Sequence, residues 1–277
     1  MLNIGALNAP FETPPRMAFP CHRNPKAMTN PPRPPHSSRP APTAADQVRA
    51  REAMGWLHTA RFLTTAAQLN QLPELNVPEI AFVGRSNAGK STAINTLTQQ
   101  NQLAFASKRP GRTQHINLFA LGRQGQTDAV LTDLPGYGYA AVPQADKRRW
   151  QQVMANYLVS RENLAGIVML CDPRHGLKEL DEVLLEVIRP RVEEGLKFLI
   201  LMTKADKLTR AEQAKALSIA RLQAGGGEVK LFSALKRQGV EDAAVWLRDL
   251  VDATPSMGSA PDDEQPEDDE GEGELNP

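Results

Sequence analysis

A glycine-bounded loop between an apolar run and a helix-forming segment constrains the fold of this chain more than any other feature. In the stretch EIAFVGRSNAGKSTAIN (79–95), residues Gly84, Gly89, Lys90 and Ser91 match the pattern G-x-x-x-x-G-K-[ST]. The pattern follows a predicted strand and opens a predicted helix, which is the context that a phosphate-binding loop (P loop) requires. The stretch therefore predicts an α/β domain with an anion site at the end of a strand.

Polyphosphate is favoured in such a loop for two physical reasons. Glycines let main-chain amides approach an anion closely, and the amino end of a helix adds positive potential. We expect Lys90 to contact the outer phosphates and the hydroxyl of Ser91 to bind Mg²⁺. The predicted phosphate-binding residues are Gly84, Arg85, Ser86, Asn87, Ala88, Gly89, Lys90 and Ser91.

The rest of the central sequence alternates apolar runs of strand length with segments of helical period. Near-continuous apolar runs favour parallel strands that are covered on both faces. The short link RQGQ between the second and third strands predicts a hairpin at one edge of the sheet. The pattern indicates a doubly wound, mostly parallel six-stranded sheet with one antiparallel edge hairpin and helices on both faces. The predicted strands are 79–84, 116–122, 128–133, 165–172, 197–203 and 228–233, and the predicted helices are 90–100, 144–160, 178–193, 209–223 and 239–251.

The two ends of the chain differ from the centre in composition. Residues 1–45 hold eleven of the 22 prolines and five Lys/Arg against one Glu, which predicts a disordered basic arm. Residues 253–277 hold nine Asp/Glu and no Lys/Arg, which predicts a disordered acidic tail. The folded domain is thus expected over 46–252, where 27 basic and 22 acidic residues leave a mild positive surplus. Within it, 46–66 is helical in pattern at first and less so later, and is expected to pack outside the sheet.

Cysteine usage and hydropathy exclude several classes of protein. Only Cys21 and Cys171 are present, so neither a disulfide framework nor a cysteine metal cage is available. No apolar run approaches the ~20 residues that a membrane-spanning helix needs, and the first residues lack the pattern of a secretory signal. We expect a bacterial cytoplasmic protein without membrane insertion.

Two further segments lie at predicted strand ends and point to a guanine nucleotide. The first, Asp133-Leu134-Pro135-Gly136, has the form D-x-x-G, in which an acid can hold a magnesium-bound water and a glycine amide can meet the terminal phosphate. The second, Thr203-Lys204-Ala205-Asp206, places a carboxylate where it can accept hydrogen bonds from N1 and N2 of guanine, whereas adenine lacks that pair of donors. We expect Lys204 to lie along the base and the amides of Phe232, Ser233 and Ala234 to support the guanine oxygen.

With these motifs in place, the chain resembles the EngB (YihA/YsxC) family of small bacterial GTPases. The resemblance runs from about Phe62 to Val251 and rests on PEIAFVGRSNAGKST, SKRPGRTQHINLF, DLPGYGYA, DPRHGL and TKADKL, which occur in family order. It implies a P-loop GTPase fold, GTP binding and hydrolysis, magnesium dependence, association with the large ribosomal subunit during assembly, and a role in cell division and septation. We expect a monomer.

The resemblance also assigns two mobile switch segments. The effector threonine of the family corresponds to Thr113, which would join Ser91 on Mg²⁺, with Asp133 acting through a water. Switch one would span 107–115 and switch two 136–143. The nucleotide-binding residues assigned in switch one are Gly111, Arg112, Thr113, Gln114 and His115.

Two departures from the general GTPase pattern bear on affinity and rate. Thr203 stands where most GTPases have Asn, which predicts modest affinity. Tyr137 replaces the Gln that orients the attacking water in many GTPases, which predicts slow intrinsic hydrolysis. Asn87 could bind K⁺ against the phosphates, and we therefore assign hydrolysis to Lys90, Thr113 and Asn87.

Several residues have a functional and a structural interpretation. Arg109 and Arg112 near switch one, and Lys147, Arg148 and Arg149 after switch two, are either solvated charges or a basic surface for ribosomal RNA, and we favour the second. His175 is interpreted as a structural loop residue, Cys171 as an inert buried thiol, and Trp56, Trp150 and Trp246 as packing residues. Two other functions stay open at this point: a P-loop kinase or ATPase, which would have no use for Asp206, and a division protein that nucleotide only stabilises.

Overall fold

The computed structural model describes residues 42–104, 115–138 and 144–254. Within these residues seven strands form one sheet in the order β1-β3-β4-β2-β5-β6-β7. The strands are β1 (Arg61–Ala66), β2 (Glu79–Gly84), β3 (Ile116–Leu121), β4 (Ala129–Asp133), β5 (Leu164–Cys171), β6 (Lys197–Met202) and β7 (Glu228–Leu231). The helices are α1 (Ala44–Leu57), α2 (Lys90–Thr98), α3 (Gln144–Ser160), α4 (Glu179–Glu193), α5 (Arg210–Ala224) and α6 (Val240–Asp252).

The predicted fold class is confirmed, and the sheet has one strand more than the six predicted. The additional strand, β1, pairs antiparallel with β3, and Phe62 lies opposite Phe119. The sequence predicted the β3–β4 hairpin at the edge of the sheet, and this was wrong. Because β1 pairs with the outer side of β3, the hairpin lies inside the sheet. Only β3 runs against the direction of the other strands in this sheet. The prediction missed β1 because half of its residues are exposed and its partner lies far along the chain.

Helices cover both faces of the sheet, as the apolar strands require. All six residues of β2 are buried, and alternate side chains enter different cores. Ile80 and Phe82 pack with residues of α1, α2 and α6 on one face. Ala81 and Val83 pack with residues of α3, α4 and α5 on the other.

The five predicted helices are all present with ends that differ by at most two residues. The capping box predicted at the start of α5 is confirmed: Thr209 Oγ1 accepts from the amide of Glu212, and the Glu212 carboxylate accepts from the amide of Thr209. A second capping box, between Thr43 and Asp46, starts α1 slightly before the predicted boundary at 46. The predicted basic arm and acidic tail lie outside the described residues, apart from their innermost positions.

A buried polar cluster joins the amino end of β2 to β4 and to the carboxyl end of α3. The carboxylate of Glu79, which is fully buried, accepts hydrogen bonds from Thr132 Oγ1, Tyr157 Oη and Arg161 Nε at 2.6, 2.8 and 2.6 Å. Nearby, Arg191 of α4 donates to the carbonyls of Leu158 and Arg161 at 3.0 and 2.9 Å, and so fixes the carboxyl end of α3 to α4. Buried charges of this kind are stable only when they are paired in this way.

The carboxyl ends of the strands carry the loops in which the sequence motifs occur. In the described part of the chain, no helix combines the length and the apolar character needed to cross a bilayer.

Candidate nucleotide-binding site

The glycine-bounded loop joins the end of β2 to the start of α2, as its pattern predicts. Gly84 is required by packing, because a Cβ at this position would lie 2.8 Å from the carbonyl oxygen of Leu170. Gly89 is required by conformation, because its φ of 96° lies in the left-handed region. Asn87 also has a positive φ of 67°, and the amide of Ala88 donates to the carbonyl of Arg85 at 2.9 Å. The loop is thus a tight turn whose backbone leads into the amino end of α2.

The lysine of the loop lies against the acid of the D-x-x-G segment. Lys90 Nζ donates to Asp133 Oδ1, and the two side chains are only 7% and 2% exposed. The sequence predicted that Lys90 contacts the outer phosphates and that Asp133 holds a magnesium-bound water, and the structure brings the two side chains into direct contact at the carboxyl ends of β2 and β4. Ser91, the predicted Mg²⁺ ligand, follows Lys90 in the first turn of α2 and is half-buried.

Backbone hydrogen bonds attach the D-x-x-G segment to the P loop. The amide of Tyr137 donates to the carbonyl of Gly84 at 3.3 Å, and the amide of Ser86 donates to the carbonyl of Tyr137 at 2.8 Å. Gly136 lies directly over Ser86, since a Cβ on Gly136 would be 3.3 Å from the Ser86 backbone. Residues 133–137 therefore continue beside the P loop after β4 ends. Leu134 and Pro135 are buried in this segment.

The side chain of Tyr137 is buried and reaches the start of α4. Its hydroxyl donates to Asp181 Oδ1 at 2.6 Å, while Asp181 Oδ2 accepts from the amide of Lys178 at 2.8 Å. Burial, and then the adjacent Asp181 carboxylate, raise the pKa of Tyr137 well above its usual value, so the phenol stays protonated and acts as a donor. The sequence did not predict this contact.

The base segment is braced against the P loop by two side chains. Thr203 Oγ1 donates to the carbonyl of Ala88 at 2.6 Å, and Lys204 Nζ donates to the carbonyl of Asn87 at 2.8 Å. Lys204 Nζ also lies 3.1 Å from Asp172 Oδ2, and Arg174 donates to both oxygens of that carboxylate. The segments predicted to bind phosphate and base are therefore joined through side chains, which their spacing in the sequence does not reveal.

Asp206, the predicted base reader, is held by the loop that follows β7. Ser233 Oγ donates to Asp206 Oδ1 at 2.5 Å, and this hydrogen bond lowers the pKa of Asp206. The amide of Ala205 donates to the carbonyl of Phe232 at 3.1 Å. A carboxylate that is ionised and fixed in position suits the recognition of two guanine donors. Ala234 follows in the same loop and is half-buried.

The predicted switch residues fall largely outside the described part of the chain. This applies to Gly111, Arg112, Thr113 and Gln114, to Arg109, and to the side chains of Lys147, Arg148 and Arg149. Their assignments stay predictions. Of the predicted switch-one contacts, His115 is described, and it is exposed just before β3.

The predictions of a buried thiol at Cys171 and of packing roles for Trp56 and Trp246 are confirmed. Cys171 is buried, and burial raises the pKa of its thiol to about 12, so it is not a nucleophile at neutral pH. Trp56 is 4% exposed and has the guanidinium of Arg248 5.0 Å from its ring centroid, while Trp246 packs at the edge of the same core. His175 lies exposed in the loop after β5, where its amide donates to the carbonyl of Asp172. The side chain of Trp150 is outside the described residues.

Comparison with known proteins decides the family. A family model described as 50S ribosome-binding GTPase matches residues 79–204. The probable GTP-binding protein EngB of Albidiferax ferrireducens is 78% identical over 208 residues, which cover 75% of this chain and 100% of that relative. The chain belongs to the EngB family. An EngB protein of Burkholderia thailandensis is 50% identical over 205 residues, covering 69% of this chain and 92% of the relative.

Solved structures agree with this assignment at the level of the fold. A crystal structure of a probable GTP-binding protein engB has a TM-score of 0.51 at 19% identity, and covers 64% of this chain and 100% of that one. Era of Aquifex aeolicus, bound to GDP and AlF4⁻, has a TM-score of 0.52 at 20% identity, and covers 65% of this chain and 58% of that one. As an EngB-family member, the chain is a GTPase that binds GTP and GDP, and this favours the GTPase over the kinase or ATPase alternative.

Proposed function

We propose that this GTPase is a switch in the assembly of the large ribosomal subunit and is needed for normal cell division and septation. One structural observation supports a role as a switch, namely that the P loop is hydrogen-bonded to both neighbouring segments. Ser86 bonds to Tyr137 after the D-x-x-G segment, and Thr203 and Lys204 of the base segment bond to P-loop carbonyls. A contact made by the terminal phosphate at Gly136 therefore acts on a connected structure and not on an isolated loop. The description of the matching family model, 50S ribosome-binding GTPase, supports the ribosomal partner.

The predicted roles of the site residues are consistent with this geometry and belong to the proposal. Amides of 84–91 would bind the phosphates, Lys90 would neutralise them, and Asp206 would select guanine. The predicted metal ligands are hard oxygen atoms, namely the hydroxyl of Ser91, the carboxylate of Asp133 through a water and, outside the described residues, the hydroxyl of Thr113. Mg²⁺ favours such a set together with phosphate oxygens, and when bound it would neutralise charge on the phosphates.

Slow intrinsic hydrolysis is part of the proposal, and the position of Tyr137 supports it. In many GTPases the residue after Gly136 orients the attacking water. Here that residue is Tyr137, whose hydroxyl is buried and lies 2.6 Å from Asp181 Oδ1. A tyrosine in this place does not present a polar group to an attacking water. The rate would then depend on a group supplied by a cation or by the ribosomal particle.

Sedimentation of cell lysate tests the proposed switch. The chain, loaded with GDP or with a non-hydrolysable GTP analogue, is expected to co-migrate with large subunits or their precursors in the GTP-analogue state only. The Lys90→Ala variant, which should lose phosphate binding, is expected to stay at the top of the gradient with either nucleotide. Equal migration of the unmutated chain in both states, or its absence from ribosomal fractions in both, would contradict the proposal.

A further inference from the structure

A second cleft lies beside the P loop and shares residues 85–88 and Lys204 with the predicted nucleotide contacts. It has a volume of about 280 Å³ and runs between residues 85–88 and the loop that follows β5. Neither Lys90, Ser91 nor Asp206 lines it. The loop after β5 has the sequence DPRHGLK (172–178), and the proposed function assigns no role to its Arg174 and His175. The cationic side chains that line the cleft are Arg85, Arg174 and Lys204, and the imidazole of His175 lies among them.

The two carboxylates of the cleft are already engaged by protein donors. Asp172 accepts from Arg174 at 2.7 and 3.0 Å and from Lys204 at 3.1 Å. Asp181 accepts from the hydroxyl of Tyr137 and from the amide of Lys178. The charge of Asp172 is thus offset by two cations and positions them, whereas Asp181 is held by neutral donors and keeps its charge.

The cationic groups, in contrast, keep unused donors. Arg85 has no ion pair among the residues that the structure describes, and its guanidinium borders the cleft beside Gly138, where a Cβ would lie 3.3 Å from Arg85 Nε. Arg174 is 43% exposed even though it pairs with Asp172, and His175 is exposed next to it. A guanidinium presents five N–H donors in a planar fork, so each arginine can bind a second acceptor. The cleft is thus a concave site with spare donors and a surplus of positive charge.

The size and the donors of the cleft indicate its ligand. Arginine forks match the oxygens of a phosphate group. The volume lies at the lower limit for pockets that enclose a whole small molecule, which start at about 300 Å³. We propose that this cleft binds a backbone phosphate of ribosomal RNA, an inference that rests on the proposed function and names the contact through which the ribosomal partner would reach the nucleotide site.

The walls of the cleft connect it to the nucleotide site. Lys204 holds the carbonyl of Asn87 from within the cleft and is also part of the base segment. Asp181 is held by Tyr137, which directly follows Gly136. A phosphate in the cleft would therefore contact elements whose positions depend on the nucleotide, and its affinity would follow the nucleotide state through the shared residues.

The test uses the double variant Arg174→Gln, His175→Gln in the full chain. Both side chains lie outside the predicted nucleotide contacts, and Asp172 keeps its bond to Lys204. A matched control is Arg189→Gln in α4. Arg189 is 55% exposed and forms an ion pair with Glu186, as Arg174 does with Asp172. Binding of each protein, loaded with a non-hydrolysable GTP analogue, to purified large subunits is measured between about 50 and 200 mM salt.

The double variant is expected to bind about tenfold more weakly at low salt. Its plot of log affinity against log salt should be less steep by about 0.7–0.9 per lost phosphate contact. Its affinity for GDP and its intrinsic GTP hydrolysis should match those of the Arg189→Gln control. If GDP affinity shows that the double variant is misfolded, the single His175→Gln variant, which removes one exposed side chain, must bind large subunits more weakly than the Arg189→Gln control.

The outcomes separate this inference from the function on which it rests. If the unmutated chain binds subunits and the variant binds with the same affinity and slope as the control, the cleft is not an RNA contact, while the proposed function stands. If the unmutated chain binds subunits with neither nucleotide, the proposed function fails and the inference fails with it.

Discussion

Thr203 Oγ1 donates a 2.6 Å hydrogen bond to the carbonyl oxygen of Ala88, and both residues are buried. The first residue of the base segment is therefore also a brace for the P loop. The hydroxyl that stands in place of the usual asparagine keeps a structural role even where it offers one contact fewer to a nucleotide.

Replacing Thr203 with valine should weaken folding and GDP binding together. The variant keeps the shape of the side chain but leaves the buried carbonyl of Ala88 without its donor, which costs about 1–2 kcal/mol in the free energy of unfolding. GDP affinity should fall about 5- to 30-fold as the loop loses its brace. Urea unfolding and calorimetry measure the two effects. In Thr98→Val, which removes a buried hydroxyl bonded to the carbonyl of Ile94, stability should fall while GDP affinity is kept.

The Asp206→Asn variant should shift the nucleotide preference from GTP toward xanthosine triphosphate. A carboxylate accepts from two guanine donors, whereas an amide can also donate to the oxygen that xanthine carries instead of the amino group. Competition binding with both nucleotides measures the shift. Asp252→Asn, at the end of α6 and paired with Arg248, serves as the control and should leave the preference unchanged. An Asp206→Asn variant with the same preference would overturn the assignment of the base reader.

Stability should depend on pH through Asp172. Burial alone would raise the pKa of Asp172, but hydrogen bonds from Arg174 and Lys204 outweigh it and hold the pKa well below the usual value. A lowered folded-state pKa stabilises the protein above the unfolded-state pKa of about 3.9, and this contribution is lost as the pH falls below that value. Asp172→Asn should therefore lower the free energy of unfolding by roughly 1–3 kcal/mol at pH 7.

The deficit of Asp172→Asn should begin to shrink below about pH 4 and go on shrinking toward the lowered folded-state pKa, because the unmutated chain loses the same contribution over that range. Urea unfolding at about pH 7, 5 and 3 measures it. Asp249→Asn is the control and breaks an exposed ion pair, in which the side chain of Arg49 is 61% exposed and that of Asp249 is 41% exposed. It should lower the free energy of unfolding by at most about 1 kcal/mol. A deficit of Asp172→Asn that is constant with pH would contradict the assignment.

Removing the hydroxyl of Tyr137 should lower stability without changing the chemistry. Tyr137→Phe deletes the hydrogen bond to Asp181 and should lower the free energy of unfolding by about 1–3 kcal/mol. Single-turnover GTP hydrolysis should stay within about twofold of the unmutated rate, because the hydroxyl faces α4. Tyr157→Phe, which deletes a bond to Glu79 at the other end of the sheet, is a matched control. A rate loss of more than about tenfold in Tyr137→Phe alone would place the hydroxyl in the reaction.

Potassium should accelerate GTP hydrolysis relative to sodium at equal ionic strength. The prediction rests on Asn87, which has a positive φ of 67° and an exposed side chain at the turn of the P loop. An arginine finger contributes 10³–10⁵ in rate, so a cation in its place should give at least about tenfold. Hydrolysis without ribosomal particles is measured for the unmutated chain and for Asn87→Ala, in which the difference should vanish. Equal rates of the unmutated chain in the two salts would rule out a potassium site.

The sequence predicted those elements whose local pattern is strong. Helix α3 has the predicted ends at 144 and 160, and α5 begins after the predicted cap at Thr209. Buried strands such as β2 are continuous apolar runs and are visible without a partner. Strand β1 was missed since its sequence RFLTTA is half exposed and gains its structure only from pairing with β3.

The same distinction holds at the site. The P loop and the base segment were recognisable because their residues are close in sequence. The contacts between Lys204 and Asn87, and between Tyr137 and Asp181, join residues 117 and 44 positions apart, and periodicity carries no information about them. The signal that could have indicated Asp181 is its place three residues after Lys178, where an acid caps a helix.

The bonds that Arg191 makes to the carbonyls of Leu158 and Arg161 have a mechanical consequence. Helix α3 is fixed at its carboxyl end, and its amino end directly follows the predicted switch two. Seventeen residues of helix form an arm of about 25 Å. If the helix tilted by about 5° around this fixed end, its amino end would move by about 2 Å, so a small rearrangement in the predicted switch two would be enlarged along the helix.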